Sequence, residues 1–326
     1  MDDLIKTQHF TTNYNIILHN INFKPDEAID PFAGDKDLVK YSPNTNWILY
    51  DIDPRYNDII KNDSLLNPPD YTNKTVITNP PYLAKNKTKE FTSIFNKYNV
   101  DDLYKASILS LIGCKNGILI IPINFFTDER SASVRNQFLS KYKIEYVNVF
   151  TKQVFENTPY NVCSFYFEQG KTTDVIFYDY FANKSTKINL DSQYNYIIGG
   201  EFYNLFSNVQ PLFNRVITGN EKYITNIFLK AVDSRSQRLS LSYNDNIFIG
   251  KESDRTFATL TSNFELTSAQ QKMLINDFNV FVNSNRDKYN NLLFTTFRDF
   301  GRKRISLSAV YKICSYLLYE NKIINA

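Results

Sequence analysis

The sequence has few of the residues on which metal and thiol chemistry depend. Two histidines and three cysteines occur in 326 residues, and they are too scattered along the chain to form a metal-ligand motif or a Cys–His pair. The cysteines are expected to be buried, reduced thiols. Zinc-dependent enzymes, disulfide-stapled domains and cysteine nucleophiles are therefore excluded as interpretations, and we expect no metal.

Long apolar runs are also absent from the sequence. The longest, GILIIPINFF at residues 117–126, is too short to span a bilayer. The start, MDDLIKTQHF, is acidic and polar and does not resemble a secretion signal. We therefore expect a cytoplasmic protein without membrane contact. Hydrophobic residues still make up 43% of the chain, which suffices for the packed cores of two domains.

Positive charge is concentrated in the second half of the chain. Residues 1–170 contain 18 basic and 20 acidic side chains, whereas residues 171–326 contain 19 and 14. The cluster RDFGRKR at residues 298–304 lies next to further aromatic residues, a composition that suits a phosphate backbone. Taken alone, the cluster is more simply explained as a solvated surface.

Short apolar runs alternate with helical patterns in the first half. The runs Trp47–Tyr50, Val76–Thr78 and Ile118–Ile121 are continuous and are followed by Asp, Asn or Pro, which is typical of strands buried on both faces. The segment Glu129–Tyr142 is predicted to be a helix with one apolar face. The alternation predicts an open, doubly wound α/β sheet that binds ligands at the carboxyl ends of its strands.

Acidic residues lie at two predicted strand ends and before a third strand. Asp30 begins the string DPFAGDKDL after the candidate strand Glu27–Ile29, and this glycine-containing turn lets a ligand approach the backbone. Asp51 ends the next strand, where a carboxylate can accept both hydroxyls of a ribose. Asp63 precedes the following strand. Each residue, taken alone, also suits an ordinary turn or cap.

The string TVITNPPY at residues 75–82 is more specific. Its two consecutive prolines end the strand and hold the backbone extended. The Asn79 side chain and the Pro80 carbonyl then become two rigid acceptors beside the Tyr82 ring.

With these motifs the sequence resembles the S-adenosylmethionine-dependent N6-adenine DNA methyltransferases of the gamma type. In that group the cofactor motifs precede the catalytic motif and the DNA-recognition domain comes last. The resemblance implies a doubly wound, Rossmann-like methyltransferase domain at residues 1–195 and a C-terminal α+β target-recognition domain at residues 196–326. It also implies S-adenosylmethionine as the cofactor and duplex DNA as the partner.

The resemblance assigns roles to individual residues. Cofactor binding is implied for Thr11, Asp30, Phe32, Gly34, Asp51, Ile52 and Asp63. Within this set, Thr11 would meet the methionine carboxylate, Asp51 the ribose and Asp63 the adenine amino group. The catalytic motif is implied to be Asn79, Pro80, Pro81 and Tyr82.

One position departs from the family pattern. The glycine loop usually reads Gly-x-Gly, and Lys36 stands at the second glycine. Its side chain either crowds the cofactor or points outward and leaves the loop intact. A non-enzymatic DNA-binding protein with a degenerate methyltransferase fold is therefore one alternative, against which Asp51, Asp63 and Asn79 argue.

The catalytic motif predicts direct methyl transfer without a covalent intermediate. Asn79 Oδ1 and the Pro80 carbonyl would accept the two N–H groups of adenine, so that the nitrogen lone pair faces the methyl donor. A base inside duplex DNA must first flip outward, and Tyr82 and Phe155 are expected to lie against its two faces. Candidate DNA contacts are Lys85, Lys87, Arg235, Arg238, Arg298, Arg302, Lys303 and Arg304.

Enzymes that methylate glutamine in release factors or guanine in ribosomal RNA share the Asn-Pro-Pro-Tyr motif, so an RNA or protein-glutamine N-methyltransferase is a second alternative. The C-terminal position and positive charge of the appended domain favour DNA. We therefore predict a site-specific DNA adenine methyltransferase. The family resemblance suggests a restriction-modification enzyme whose partner is an independently acting cognate endonuclease.

Overall fold

The computed structural model describes residues 13–155, 160–217, 219, 223–233, 237–247, 254–298 and 301–321. The chain divides into two compact units. The first unit comprises Met1–Ile197 with Asp299–Gly301, and the second comprises Ile198–Arg298 with Arg302–Ala326. In the described ranges no helix is both long and apolar enough to cross a membrane.

The described part of the first unit contains a sheet of ten strands. These are β1 (Glu27–Asp30), β2 (Asn46–Asp51), β3 (Ile60–Lys61), β4 (Thr75–Thr78), β5 (Asn116–Pro122), β6 (Tyr142–Lys143), β7 (Tyr146–Val149), β8 (Val162–Gln169), β9 (Asp174–Asp179) and β10 (Lys184–Asn189). Their order across the sheet is β10-β9-β7-β8-β5-β4-β1-β2-β3, and β6 pairs with β8 outside this path.

Strands β1 to β5 are parallel, and β8 is antiparallel between β5 and β7. Every residue of β5 after Asn116 is buried, which requires cover on both faces of the sheet. The order β3-β2-β1-β4-β5 reverses direction between β1 and β4, and a reversal of this kind defines the ligand-binding edge of a doubly wound sheet. The predicted Rossmann-like α/β fold is therefore confirmed.

The helices in the described part of the first unit are short. They are α1 (Tyr14–Ile17), α2 (Asp37–Tyr41), α3 (Thr92–Tyr98), α4 (Leu103–Ser110), α5 (Asn124–Thr127) and α6 (Ala132–Leu139), with 3-10 turns at Lys85–Lys87, Glu129–Ser131 and Ser192–Tyr194. The predicted helix Glu129–Tyr142 is thus shorter than expected. It ends at Leu139 because Tyr142 enters the sheet opposite Gln169 in β8.

The described part of the second unit combines a four-stranded antiparallel sheet with two long helices. Its strands are β11 (Phe213–Arg215), β12 (Ile224–Lys230), β13 (Ser240–Tyr243), β14 (Phe257–Ser262), β15 (Thr296–Phe297) and β16 (Lys303–Arg304), and its helices are α7 (Gly200–Leu205), α8 (Ser268–Lys288) and α9 (Leu307–Glu320). The sheet order is β11-β14-β12-β13, and β15 and β16 form a separate hairpin. A capping box between Thr267 and Gln270 begins α8.

Candidate active site

Three predicted site residues lie at neighbouring strand ends. Asp30 ends β1, Asp51 ends β2 and Asn79 directly follows β4. Because β1 pairs with β2 on one side and with β4 on the other, all in parallel, these residues share the carboxyl edge of the sheet. The sheet therefore brings together residues that are up to 49 positions apart in the sequence.

The Asp30 carboxyl group is almost completely buried, with 3% of the residue exposed. Its Oδ1 accepts hydrogen bonds from the Thr78 hydroxyl at 2.7 Å and from the Phe32 N–H at 3.1 Å. Burial raises the pKa of Asp30 to about 7, although both hydrogen bonds act to lower it, and the nearby Asp51 charge adds to the increase. Asp30 is thus a carboxyl group whose charge can change near neutral pH.

The loop after β1 is held by Asp51. The Gly34 N–H donates to Asp51 Oδ2 and the Asp53 N–H to Asp51 Oδ1, both at 2.9 Å. Gly34 has a φ of +50°, and a Cβ atom added there would meet nothing within 4 Å. The backbone beside Gly34 is therefore open to a ligand, and each Asp51 oxygen retains a lone pair for another donor.

Lys36 takes the second glycine position in a left-handed conformation, with a φ of +60°. Its ammonium group forms an ion pair with the exposed Asp58 carboxylate and lies 5.3 Å from the centre of the Tyr56 ring. Of the two orientations considered from the sequence, the structure has the outward one. Lys36 thus leaves the Gly34 backbone uncovered.

The other predicted cofactor residues differ in their surroundings. Asp63 Oδ1 accepts hydrogen bonds from the Leu65 and Leu66 N–H groups, each at 3.0 Å. Ile52 is 38% exposed directly after β2, and Phe32 packs against a small apolar cluster of the first unit. Thr11 lies outside the described residues.

The catalytic motif has a closed arrangement. Asn79 and Pro81 are half-buried, whereas Pro80 and Tyr82 are buried. The Tyr82 hydroxyl is within hydrogen-bonding distance of Asn79 Oδ1 and of the Ile120 carbonyl, the latter at 2.6 Å. Burial raises the pKa of Tyr82, so its hydroxyl keeps its proton at neutral pH. A hydroxyl has one proton to donate, so these two acceptors compete for it.

The aromatic residues expected to hold the target base are both buried. Tyr82 is 0% and Phe155 2% exposed, so neither ring presents an open face in this conformation. A third ring, Tyr160, lies 5.9 Å from Tyr82 in an edge-on arrangement, and the Lys87 ammonium group is 5.6 Å from its centre. Tyr160 was not predicted from the sequence, although it follows Phe155 in the same polar segment.

A further residue missed from the sequence supports the turn that contains Tyr82. Asp102 caps α4 by accepting from the Tyr104 N–H and also accepts from the Leu83 N–H at 3.1 Å. Burial raises its pKa to about 6. The role of Asp102 as a helix cap could have been predicted from the sequence, because an aspartate directly before an apolar run is a common helix N-cap.

The residues predicted to contact DNA lie on different elements of the structure. Lys85 and Lys87 are exposed on the 3-10 turn after the catalytic motif. Arg298 and Arg302 are exposed, and they are joined by a backbone hydrogen bond of 2.8 Å in the β15–β16 hairpin. The Lys303 ammonium group of the same hairpin lies 5.8 Å from the centre of the Phe297 ring. The basic cluster is thus displayed on a hairpin.

Arg238 is exposed and forms hydrogen bonds within the second unit. Its guanidinium donates to Asp287 at 2.8 Å and to Asn291 Oδ1 at 3.0 Å, both near the end of α8. The carboxylate partner comes from α8, and contact of Arg238 with a base stays a prediction. Arg235 lies outside the described residues.

Within the described ranges, no three His, Cys, Asp or Glu residues are grouped so that they could hold a metal ion. The three cysteines are free and buried, as predicted. The site therefore offers carboxylates, an amide and backbone groups as its polar chemistry.

The sequence profile of the family N-6 DNA Methylase matches residues 39–197. No curated protein matches the chain. The profile covers most of the first unit, including Asp51, Asp63 and Asn79.

Several solved structures are similar to part of the chain. A candidate modification subunit of a type I restriction enzyme from Vibrio vulnificus YJ016 is 12% identical, with a TM-score of 0.43, over 73% of this chain and 59% of that one. The type I restriction-modification methyltransferase subunit from Streptococcus thermophilus is 14% identical, with a TM-score of 0.41, over 60% of this chain and 59% of that one. The similarity therefore spans about 59% of the length of either protein, and it is too distant to assign an activity.

The motifs, the strand order and the profile match agree with one another, and they confirm the resemblance to N6-adenine DNA methyltransferases. Residues 39–197 are thus similar to the N-6 DNA methylase family.

Proposed function

We propose that this protein is a site-specific DNA methyltransferase that moves a methyl group from S-adenosylmethionine to the N6 amino group of adenine. The observation that carries the proposal is the position of Asn79-Pro80-Pro81-Tyr82, directly after β4 and beside the carboxylates that end β1 and β2. The match to the N-6 DNA methylase family supports the same reaction.

The residues present fit the proposed cofactor. The open space beside Gly34 suits the close approach of a methionine chain, and the Asp51 carboxylate, held by two backbone N–H groups, would accept the ribose hydroxyls. Asp63 would accept from the adenine amino group, and the partly exposed Ile52 would contact the adenine ring. S-adenosylmethionine, when bound, supplies an electrophilic methyl group and a positive charge.

The chain's own residues would prepare the nucleophile. The adenine amino group is a weak nucleophile because its lone pair is delocalised into the ring. Asn79 Oδ1 and the Pro80 carbonyl would accept its two N–H groups and direct the lone pair toward the methyl carbon, so that positioning and electrostatics provide the rate. Asn79 Oδ1 has two lone pairs, so it can accept from the adenine amino group while the Tyr82 hydroxyl stays bonded to it.

The target base would reach this site by flipping out of the duplex. The buried rings of Tyr82 and Phe155 would then have to open or shift to receive it. We propose the second unit as the target-recognition domain, with the exposed Arg298 and Arg302 of the basic hairpin contacting phosphates. The division after Ile197 is close to the domain boundary proposed from the sequence. Modification within a restriction system is the proposed biological setting.

The proposal is tested by transfer of labelled methyl from S-adenosylmethionine to unmethylated genomic DNA, with bulk RNA and a release factor as parallel substrates. Label in DNA supports the proposal, whereas label in RNA or protein alone contradicts the assigned substrate. The Asn79→Ala variant should lose turnover by at least about a hundredfold, because one of two preorganised acceptors is removed. Its cofactor affinity should stay within a few-fold of wild type, and a loss of binding would contradict the role of Asn79.

A further inference from the structure

A hydrogen bond inside the sheet connects the cofactor loop to the strand that precedes the catalytic motif. The Thr78 hydroxyl, 0% exposed at the end of β4, donates to Asp30 Oδ1 at 2.7 Å. The two residues are 48 positions apart and meet because β1 and β4 are parallel neighbours. Thr78 has no part in the mechanism proposed above.

The hydrogen bond from Thr78 is important because Asp30 is a buried carboxyl group, which needs donors to be stable in its charged form. Asp30 is buried at the start of the loop that contains Gly34, where a sulfonium cofactor is proposed to bind. A buried carboxylate is stable only when donors or positive charge compensate it. The Thr78 hydroxyl and the Phe32 N–H are the donors that the structure gives to it.

We propose that Thr78 is a positioning residue for the cofactor, whose hydroxyl fixes the Asp30 side chain and favours its ionised form so that the carboxylate can compensate the sulfonium charge. The inference rests on the proposed function, because it takes the cofactor to be S-adenosylmethionine.

The groups around Asp30 determine the direction of its pH dependence. Asp51 on β2 acts against its ionisation, the Phe32 N–H from the loop favours it, and the Tyr71 hydroxyl from the segment before β4 also lies in its electrostatic neighbourhood. Because the pKa of Asp30 is raised to about 7, the carboxylate form is gained as the pH rises through neutrality. Affinity for a cationic ligand should therefore increase between pH 6 and pH 8.

Thr78→Val removes the hydroxyl with almost no change in shape, and valine suits a buried strand. Thr78→Ser keeps the hydroxyl, and Asp30→Asn removes the titrating group. The intact protein and these variants are compared by calorimetric binding of S-adenosylmethionine from pH 5.5 to pH 9. S-adenosylhomocysteine, which lacks the sulfonium charge, is the matched ligand. The Asp30 carboxyl carbon is followed by NMR in the same pH range without ligand.

The proposal expects affinity for S-adenosylmethionine to rise about tenfold from pH 6 to pH 8 in the wild type, with a smaller rise for S-adenosylhomocysteine. In Thr78→Val the midpoints of both the binding profile and the NMR titration should move upward by about one pH unit. Thr78→Ser should keep the wild-type midpoints, and Asp30→Asn should bind weakly with no midpoint near neutrality.

Three results would overturn the inference. An NMR midpoint for Asp30 that is the same in Thr78→Val and wild type would remove the role of the hydroxyl. A shifted NMR midpoint with an unchanged binding profile would separate Asp30 from the cofactor while leaving the proposed methyltransferase function intact. Absence of cofactor binding by the wild type would contradict both the inference and the proposed function.

Discussion

At the scale of single residues, Tyr82 belongs to the proposed catalytic motif and is also buried in the folded protein. Its ring is buried beside the catalytic motif, and its hydroxyl competes between Asn79 Oδ1 and the Ile120 carbonyl. We expect the hydroxyl to stabilise the closed site without taking part in methyl transfer, because the two acceptors proposed for the amine are Asn79 Oδ1 and the Pro80 carbonyl.

Tyr82→Phe should therefore lower the free energy of unfolding by about 1–3 kcal/mol, since buried acceptors lose their donor. Turnover at saturating substrate should stay within about tenfold of wild type. Urea unfolding and the methyl-transfer assay measure the two quantities. Tyr142→Phe is the matched control, because this buried tyrosine donates to the Cys114 carbonyl at 3.0 Å and lies at the start of β6. Turnover as low as that of Asn79→Ala would assign the Tyr82 hydroxyl to the chemistry instead.

Some site residues could be predicted from the sequence and others could not. Asp30, Asp51 and Asn79 were predictable because the ends of parallel strands converge at one edge. The bond between Thr78 and Asp30 was not, because a contact across 48 residues depends on strand register. The burial of Tyr82 was also not predictable, since the motif specifies the ring but not what covers it.

At the scale of elements, the β15–β16 hairpin is the element for which contact with DNA phosphates is proposed. Replacing Arg302, Lys303 and Arg304 by glutamine should weaken DNA binding. It should also reduce the slope of log affinity against log salt by about two to three, because each phosphate contact contributes about 0.9. Replacement of Lys141, Lys171 and Lys184, which are exposed on the first unit, is the control. Equal slopes for the hairpin variant and wild type would show that the cluster is an ordinary solvated surface.

The second unit also depends on a buried ion pair between α8 and the segment after β12. Arg286 is 0% exposed and donates to Asp233 at 2.8 Å. Burial acts to raise the pKa of Asp233, but the Arg286 guanidinium, the Leu239 N–H and the Lys303 charge together outweigh it, and the pKa is lowered. The pair therefore stabilises the folded state above the ordinary carboxyl pKa, and this stability is lost as the pH falls below about 4.

Asp233→Ala should lower the stability of the second unit by about 3–5 kcal/mol, because it leaves a buried guanidinium unpaired. Hydrogen exchange within Ser268–Lys288 measures the effect in this unit. The double variant Asp233→Leu with Arg286→Met should recover much of the loss, since no charge then remains buried. If the double variant is as unstable as Asp233→Ala, the ion pair is not the cause.

Element boundaries were harder to predict than element types. The strands at Trp47–Tyr50 and Ile118–Ile121 are observed because continuous apolar runs between polar residues leave little alternative in a two-sided sheet. The helix at Glu129–Tyr142 ends early because Tyr142 pairs with β8, a tertiary contact that overrides the helical pattern.

At the scale of the whole molecule, the first unit has the fold that the sequence predicts, with the candidate site where a doubly wound sheet binds its ligands. The second unit has a core of its own around β11–β14, α8 and α9. Its positive charge was visible in the sequence, but the pairing of Arg238 with α8 was not, because that contact forms only when residues 49 positions apart come together. Charge distribution thus indicates a partner class, while individual contacts require the structure.

The central claim is that Asn79 directs methyl transfer to adenine in DNA. The most direct measurement is the nucleoside composition of genomic DNA from a host without its own adenine methylation, expressing either the wild type or Asn79→Ala. Digestion and mass spectrometry should find N6-methyldeoxyadenosine with the wild type and none above background with the variant at equal protein level. DNA without N6-methyldeoxyadenosine in the presence of folded, cofactor-binding wild type would contradict the account.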